Sequence, residues 1–313
     1  MLVTARPNPA LPIRSQRKTA RITVPDGGKP ETGAAHYCRQ LERGEILFFG
    51  RHPFSLSRED CAFLMQQSQR GSRLHKNVSY RPEEDTLCGF TGTVQAQKRT
   101  ENILRAYSEA VTGFVNRFLI PYAGKALRDY ASFRPAEEEG RDLPVRKRND
   151  LLHIDAFPTR PTRGGRILRV FTNIHPFRSR VWRTDGPFAS LAQRYAAAAG
   201  LHEMRDSTIT TRVSGWLRAA GLRIPERSRY DRFMRQFHDF LKENAGYQGR
   251  NDGEQVEFPP MSTWVVYTDG VAHAVLSGQF ALEQTFVIPV EALVSPADSP
   301  LRILERMAGE ALV

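Results

Sequence analysis

The chain has 313 residues, enough to bury a sizeable core as one large domain or two small ones. A hydrophobic content of 40% with 10% aromatics excludes general disorder, and no run approaches the ~18 consecutive apolar residues of a membrane-spanning helix. Forty-five Lys and Arg against 34 Asp and Glu give a formal charge of +11, which points to an anionic partner without naming it.

Residues 1 to about 40 are rich in Pro, Gly, Arg and Thr without periodicity and read as a flexible arm. They lack the apolar segment of a cleaved signal peptide. Glu45–Phe49 reads as a short buried strand. Ser57-Arg-Glu-Asp60 is a capping-box pattern that opens a helix through about Gln69. A longer helix is predicted from about Lys98 to Leu119, with Ile103, Tyr107, Val111, Phe114 and Phe118 at helical spacing and Pro121 as its stop.

Glu137–Gly140 reads as an acidic loop. Leu151–Ala156 and Arg166–Ile174 read as strands, separated by a turn-rich PTRPTRGG. Helices are predicted at about Phe188–Ala199, Ser207–Ala220 and Ser228–Ala245, with Gly200, Gly221 and Gly246 as stop signals. After a polar loop at 247–257 come strands at Thr263–Tyr267, His273–Leu276 and Phe280–Ile288, then a last helix at about Pro300–Ala311. No internal repeat is visible. The simplest organisation is one mixed domain over 41–313, with a helical insertion at about 188–245. Cys38, Cys61 and Cys88 are odd in number and lack metal-type spacing, so they read as thiols of a reducing cytosol.

The positive charge is concentrated. Between Arg141 and Arg183 there are eleven Lys or Arg against three Asp, so +8 of the +11 lies in that segment. It surrounds the one His-x-Asp of the chain, His153-Ile-Asp155. On a strand, residues i and i+2 share a face, so both side chains would project together. A second His from another strand would complete two imidazoles and one carboxylate, the facial set of non-haem Fe(II) oxygenases, which leaves three metal positions open.

His273, at the start of a strand after a Gly turn, is the preferred third ligand. His238 reads as a helix-face residue, His175 as a loop hydrogen-bonding residue and His202 as a helix-exit residue. His36, His52 and His75 read as surface positions. On the strand RILRVFTNI, Ile167, Arg169, Phe171 and Asn173 share one face, while Arg166, Leu168, Val170, Thr172 and Ile174 share the other. Arg169 is therefore the preferred clamp for a co-substrate carboxylate, with Arg166 in reserve and Asn173 beside it.

With these residues in place the chain resembles the double-stranded β-helix (jelly-roll) Fe(II)/2-oxoglutarate oxygenases, an α+β architecture with a sheet core flanked by helices. More narrowly it resembles the Kdo hydroxylase family. The residues that carry the match are GEILFFGRHPFSLS (44–57), HKNVSY (75–80), KRNDLLHIDAFPTRPTRGGRILRVFTNIHP (147–176), RVWRTDGPF (180–188) and HAVLSGQFALEQTFVIP (273–289).

The resemblance implies hydroxylation at C3 of 3-deoxy-D-manno-oct-2-ulosonic acid (Kdo) in the lipopolysaccharide inner core, giving D-glycero-D-talo-oct-2-ulosonic acid (Ko). It also implies Fe(II) on His153, Asp155 and His273, with 2-oxoglutarate and O2 as co-substrates and succinate and CO2 as co-products. Many superfamily members place an Arg about ten residues beyond the distal His, but here that stretch reads Leu282-Glu-Gln-Thr-Phe286 without a cation. This leaves the clamp to Arg169 or Arg166, with Gln284 and Thr285 as neutral partners. Arg146, Arg148, Arg160 and Arg163 flank the metal strand and suit the anionic groups of Kdo-lipid A or a related glycolipid.

A cytoplasmic enzyme is expected, held peripherally against the anionic inner membrane of a Gram-negative bacterium, with an oligomer open. Three readings compete: an oxygenase of another substrate, protein or nucleic acid; a structural jelly-roll protein whose two His and Asp bind no metal; and a basic nucleic-acid-binding protein. Against the last, no zinc-finger spacing, RRM signature or recognition helix is evident, so no nucleic-acid partner is expected.

Overall fold

The structure is a computed structural model that describes residues 22–23, 30–67, 77–203, 227–250 and 253–313. In chain order the first half holds β1 (Ile22–Thr23), α1 (Pro30–Glu42), β2 (Ile46–Phe49), α2 (Arg58–Gln66), β3 (Val78–Arg81), β4 (Thr86–Cys88), α3 (Val94–Phe118) and β5 (Leu127–Arg134). Next come β6 (Arg166–Asn173), β7 (Arg180–Pro187), α4 (Phe188–Tyr195), α5 (Arg229–Glu243) and α6 (Ala245–Gln248). The chain closes with β8 (Glu254–Phe258), β9 (Thr263–Tyr267), β10 (Val271–Ser277), β11 (Ala281–Ile288) and α7 (Pro300–Ala308).

Two sheets carry the architecture. The larger has the order β1-β2-β9-β6-β11-β5-β3-β4 and the smaller β10-β7-β8. The ladders are antiparallel apart from β1 with β2. This is the α+β, double-stranded β-helix core that the family resemblance implies.

Aromatic rings fill the space between the sheets, where inward residues of both interdigitate. Phe258 and Trp264 stack at 3.9 Å between centroids, and Trp182 meets Phe171 edge-on at 5.1 Å. The outer face of the large sheet buries Leu168, Val170, Leu282 and Phe286 against Ile103, Tyr107, Val111 and Phe114 of α3. The face assignment on β6 therefore holds, with Phe171 inside and Leu168 and Val170 outside. Ala272 and Ala274 of the small sheet pack outward under Phe188 (α4), Phe237 and Leu241 (α5) and Leu304 (α7).

Several elements differ from expectation. Within the stretch read as an arm, Pro30–Glu42 is helical and buries Cys38 and Leu41. The expected strand Leu151–Ala156 shrinks to one bridge, His153 to His273. The polar loop at 247–257 contains part of β8, whose burial alternates with period two although its inward residues include Glu254. The helix expected at Ser207–Ala220 lies outside the described residues. Among the described helices, none is long and apolar enough to cross a membrane.

Arg166, the reserve clamp, is corrected by its surroundings. It lies on the outward side of β6, its Nε donates to Asp269 Oδ2 at 2.8 Å, and its guanidinium covers the Tyr267 ring at 4.1 Å. Both partners are 1% exposed. Removing one member of such a pair strands a buried charge, whereas replacing both by apolar groups is close to neutral. Asp269→Asn should lower the unfolding free energy by about 3–5 kcal/mol in urea titration. The double replacement Arg166→Met/Asp269→Leu should recover most of that loss.

Candidate metal centre

The centre begins with two backbone hydrogen bonds. His153 N donates to His273 O at 3.1 Å and His273 N donates to His153 O at 2.9 Å. This reciprocal pair brings the two imidazoles to 4.7 Å between centroids. Asp155 N donates to Thr268 O at 2.8 Å, which turns the Asp155 carboxylate back toward His153, with Oδ1 3.8 Å from Nε2. The three ligand atoms lie within 4.8 Å of one another.

Backbone carbonyls select the tautomers. Nδ1–H of His153 donates to Leu151 O at 2.7 Å and Nδ1–H of His273 donates to Val271 O at 3.0 Å. Each Nε2 is left with its lone pair facing inward. Desolvation lowers the pKa of both histidines, so both imidazoles are neutral at physiological pH. Desolvation pushes the Asp155 carboxyl up, but Arg169 and the two imidazoles outweigh it and hold it well below the usual carboxylate range. Two neutral nitrogens and one carboxylate oxygen fit a divalent first-row metal.

Arg169 reaches this centre from β6. Its Nη2 lies 3.1 Å from Asp155 Oδ2 and its Nη1 donates to Glu283 Oε1 at 2.5 Å. Glu283 also accepts from Arg134 Nε at 2.7 Å and from Thr285 Oγ1 at 2.9 Å. Desolvation would raise the Glu283 carboxyl, yet Arg134 and Arg169 together lower it below the ordinary value. Arg180 faces the same interior, with Nη1 donating to Gly278 O at 3.0 Å. Burial lowers its pKa to about 10. Among the described residues Arg169 Nε and Arg180 Nε are buried without an acceptor, which suits an anionic ligand between them.

Asn173 and Gln284 are not brought to the centre. Asn173 pins the end of β6, its Nδ2 donating to Arg178 O at 2.9 Å and its Oδ1 accepting from His175 N at 3.0 Å. Gln284 lies on the outward face with Leu282 and Phe286, and its Nε2 donates to Asp129 O at 2.8 Å.

The four arginines assigned to substrate are dispersed. Arg146 donates to Glu243 Oε1 at 2.6 Å and lines a cavity of about 510 Å3 beside α5. Arg148 pairs with Asp150 at 2.5 Å. Arg160 pairs with Asp129, lies over Tyr130 at 3.9 Å and Phe157 at 4.4 Å, and shares a second cavity of about 470 Å3 with Arg163. Acidic residues from elsewhere in the chain thus neutralise much of the basic run.

Across residues 27–311 the chain matches the profile of the 3-deoxy-D-manno-oct-2-ulosonic acid (Kdo) hydroxylases. The chain belongs to the Kdo hydroxylase family. Solved structures agree. The apo structure of the Kdo hydroxylase KdoO, a non-heme Fe(II) alphaketoglutarate dependent dioxygenase, matches at TM-score 0.81 and 35% identity, over 94% of this chain and 97% of KdoO. KdoO with alphaketoglutarate and Fe(III) matches at 0.79 and 35%, over the same shares of both chains. KdoO with cobalt(II) matches at 0.80 and 36%, over 93% of this chain and 97% of that one. The curated protein sequences contain no match.

Four residues around this centre escape sequence reasoning: Arg134, Arg180, Glu283 and His238. A glutamate in the apolar run FALEQTFVIP is itself a signal, because acidic residues are rarely buried without a partner. His238, read as a helix-face residue, is buried with its ring 5.2 Å from that of His153.

Glu283→Gln should destabilise the protein by about 3–5 kcal/mol at neutral pH, because two partly buried guanidiniums lose their shared, buried counter-charge. The native pKa is depressed, so the stabilisation is complete above the unfolded value of 4.5 and is lost as pH falls through the native one. The difference in unfolding free energy between wild type and Glu283→Gln should stay constant from pH 7 down to about 5 and narrow below it.

Proposed function

We propose that this chain hydroxylates C3 of a Kdo residue carried on an anionic glycolipid such as Kdo-lipid A, using Fe(II), 2-oxoglutarate and O2. The single observation behind this reading is a buried pair of neutral imidazoles and one ionised carboxylate inside the fold of a Kdo hydroxylase. In this family setting, bound iron supplies the O2 activation that couples decarboxylation of 2-oxoglutarate to C–H oxidation.

The chain's own residues have separable tasks. His153, Asp155 and His273 would hold the metal on one face and leave the other open. Arg169, with Arg134 and Arg180 beside it, would take the distal carboxylate of 2-oxoglutarate, with Thr285 keeping Glu283 in register. The three arginines face Asp155, Glu283 and Glu138, so carboxylates of the protein balance their charges. A divalent metal and a dianionic co-substrate would leave that balance unchanged. Trp182, stacked on His273 at 5.0 Å, and the rings around it keep water from the reacting atoms.

Arg160 and Arg163 are assigned to anionic groups of the glycolipid beyond the reacting sugar, because their cavity borders Phe157, two residues from Asp155. Arg146 and Arg148 make solvent-screened surface pairs that a phosphate can displace. We place the enzyme at the cytoplasmic face of the inner membrane, where its net +11 charge favours anionic lipid. Residues 41–313 are assigned to one oxygenase domain.

Two experiments test these assignments. In Co(II) titration, His153→Ala and Asp155→Ala should each weaken binding by more than about 100-fold, and neither should release succinate or add oxygen to Kdo2-lipid A. Wild-type affinity in both variants would remove the metal assignment. In steady-state kinetics Arg169→Met should raise the KM for 2-oxoglutarate by about 10- to 100-fold and that for the glycolipid by under about threefold. The reverse pattern would move Arg169 to the substrate.

A further inference from the structure

Helix α5 lays one row of side chains along the metal centre. Tyr230, Met234, His238 and Lys242 are spaced four apart, share one face and are all buried. Met234 lines a small cavity with Asp155 and Phe157, and the His238 ring stands edge-on to His153 at 5.2 Å. One turn further on, Lys242 is 4% exposed and its Nζ donates to the backbone O of Arg146 at 3.2 Å. Among the described residues no carboxylate is in ion-pair contact with this ammonium.

That sets Lys242 apart from the other cations of the interior. Arg134 and Arg169 are held by Glu283, Arg169 also by Asp155, and Arg180 faces Glu138. These arginines come from β5, β6 and β7, whereas Lys242 comes from the helix that covers His153. Burying an ammonium without a directly paired carboxylate is unfavourable, and desolvation lowers its pKa to about 8 although Asp155, Asp239 and Asp150 act from a distance to raise it. A carboxylate arriving from solution would remove that penalty.

The name of the substrate supplies such a group. Kdo is an ulosonic acid, with a carboxylate at C1 and the methylene to be hydroxylated at C3, only two bonds away. A C3–H bond placed for attack at the metal therefore brings the carboxylate into the same small space. The interior arginines already face carboxylates of the protein and are assigned to the co-substrate. We propose that Lys242 binds the C1 carboxylate of the Kdo residue and so fixes C3, rather than another carbon of the sugar, beside the metal. The inference rests on the Kdo hydroxylase reading and adds the residue that selects an acidic sugar.

The test uses the full-length Co(II)-loaded protein with 2-oxoglutarate and two probes: Kdo2-lipid A and the same lipid with its Kdo carboxylates methyl-esterified. Binding is followed by thermophoresis. Wild type should bind the acid at least about tenfold more tightly than the ester, about 1.4 kcal/mol. Lys242→Met keeps the apolar stem and should bind the two alike, with Co(II) and 2-oxoglutarate affinities unchanged. Lys242→Arg should restore part of the preference. A purely structural lysine bonded to Arg146 O would alter the melting temperature in Lys242→Met but leave the acid preference intact, and that outcome overturns the assignment. Equal binding of acid and ester by wild type also overturns it, while the function stands if succinate release stays coupled to oxidation of the acid lipid. Failure of wild type to bind or oxidise either lipid would overturn the function and the Lys242 assignment together.

Discussion

The carboxylate of Glu283, shared between Arg134 and Arg169, is the contact on which the interior depends. Its place follows from register. Ala281 of β11 lies opposite Asn173 of β6 and Arg134 of β5, while Thr285 lies opposite Arg169. Glu283 falls between these rungs, so both guanidiniums reach it diagonally across adjacent strands. Arg169 then spans from Glu283 to Asp155 and ties the large sheet to the metal ligand. A one-residue slip of β11 would turn Glu283 onto the outer face beside Leu168, and leave two partly buried guanidiniums without a shared partner. The network therefore specifies register as well as charge.

The two sheets divide the work. The smaller sheet and the His153 bridge hold the imidazoles, and the backbone carbonyls of Leu151 and Val271 orient them. The larger sheet provides Arg134, Arg169 and Glu283, and β7 of the smaller sheet adds Arg180. Asp155 lies between, its N–H bonded to Thr268 and one carboxylate oxygen claimed by Arg169. That leaves Oδ1, the atom nearer His153, as the free donor. A carboxylate gripped on one oxygen presents the other in a fixed direction, which is the preorganisation a metal site with open positions requires.

What the sequence makes legible follows from how local each signal is. The His-x-Asp pair works through two neighbouring residues, so it could be read even though its strand is reduced to one bridge. The inward face of β6 was legible from its alternation. β5, β7 and β8 were not, because Arg134, Arg180 and Glu254 occupy inward or buried positions and break the apolar period that marks a half-buried strand. The basic run misled for a different reason. Its counter-ions Asp129, Glu138, Glu243 and Asp269 lie up to about a hundred residues away, so the run looked like a surface charge when much of it is paired across the fold. His238 reads as an ordinary helix position until α5 is packed against the bridge.

The buried charges also explain why the fold commits its rings to this region. An ion pair gains from a low-dielectric surround only if water is kept out and each polar atom finds a partner. Trp182, Trp264, Phe171 and Phe258 exclude water on the sheet side, and the α5 row excludes it on the helix side. The partner condition is met less fully. Arg169 Nε, Arg180 Nε and the indole N–H of Trp182 are buried donors without acceptors among the described residues. A ligand rich in carboxylate oxygens offers the acceptors these donors lack within the protein. The aromatic layer and the unsatisfied donors thus belong to one design, in which part of the hydrogen bonding of the interior is completed by what binds there.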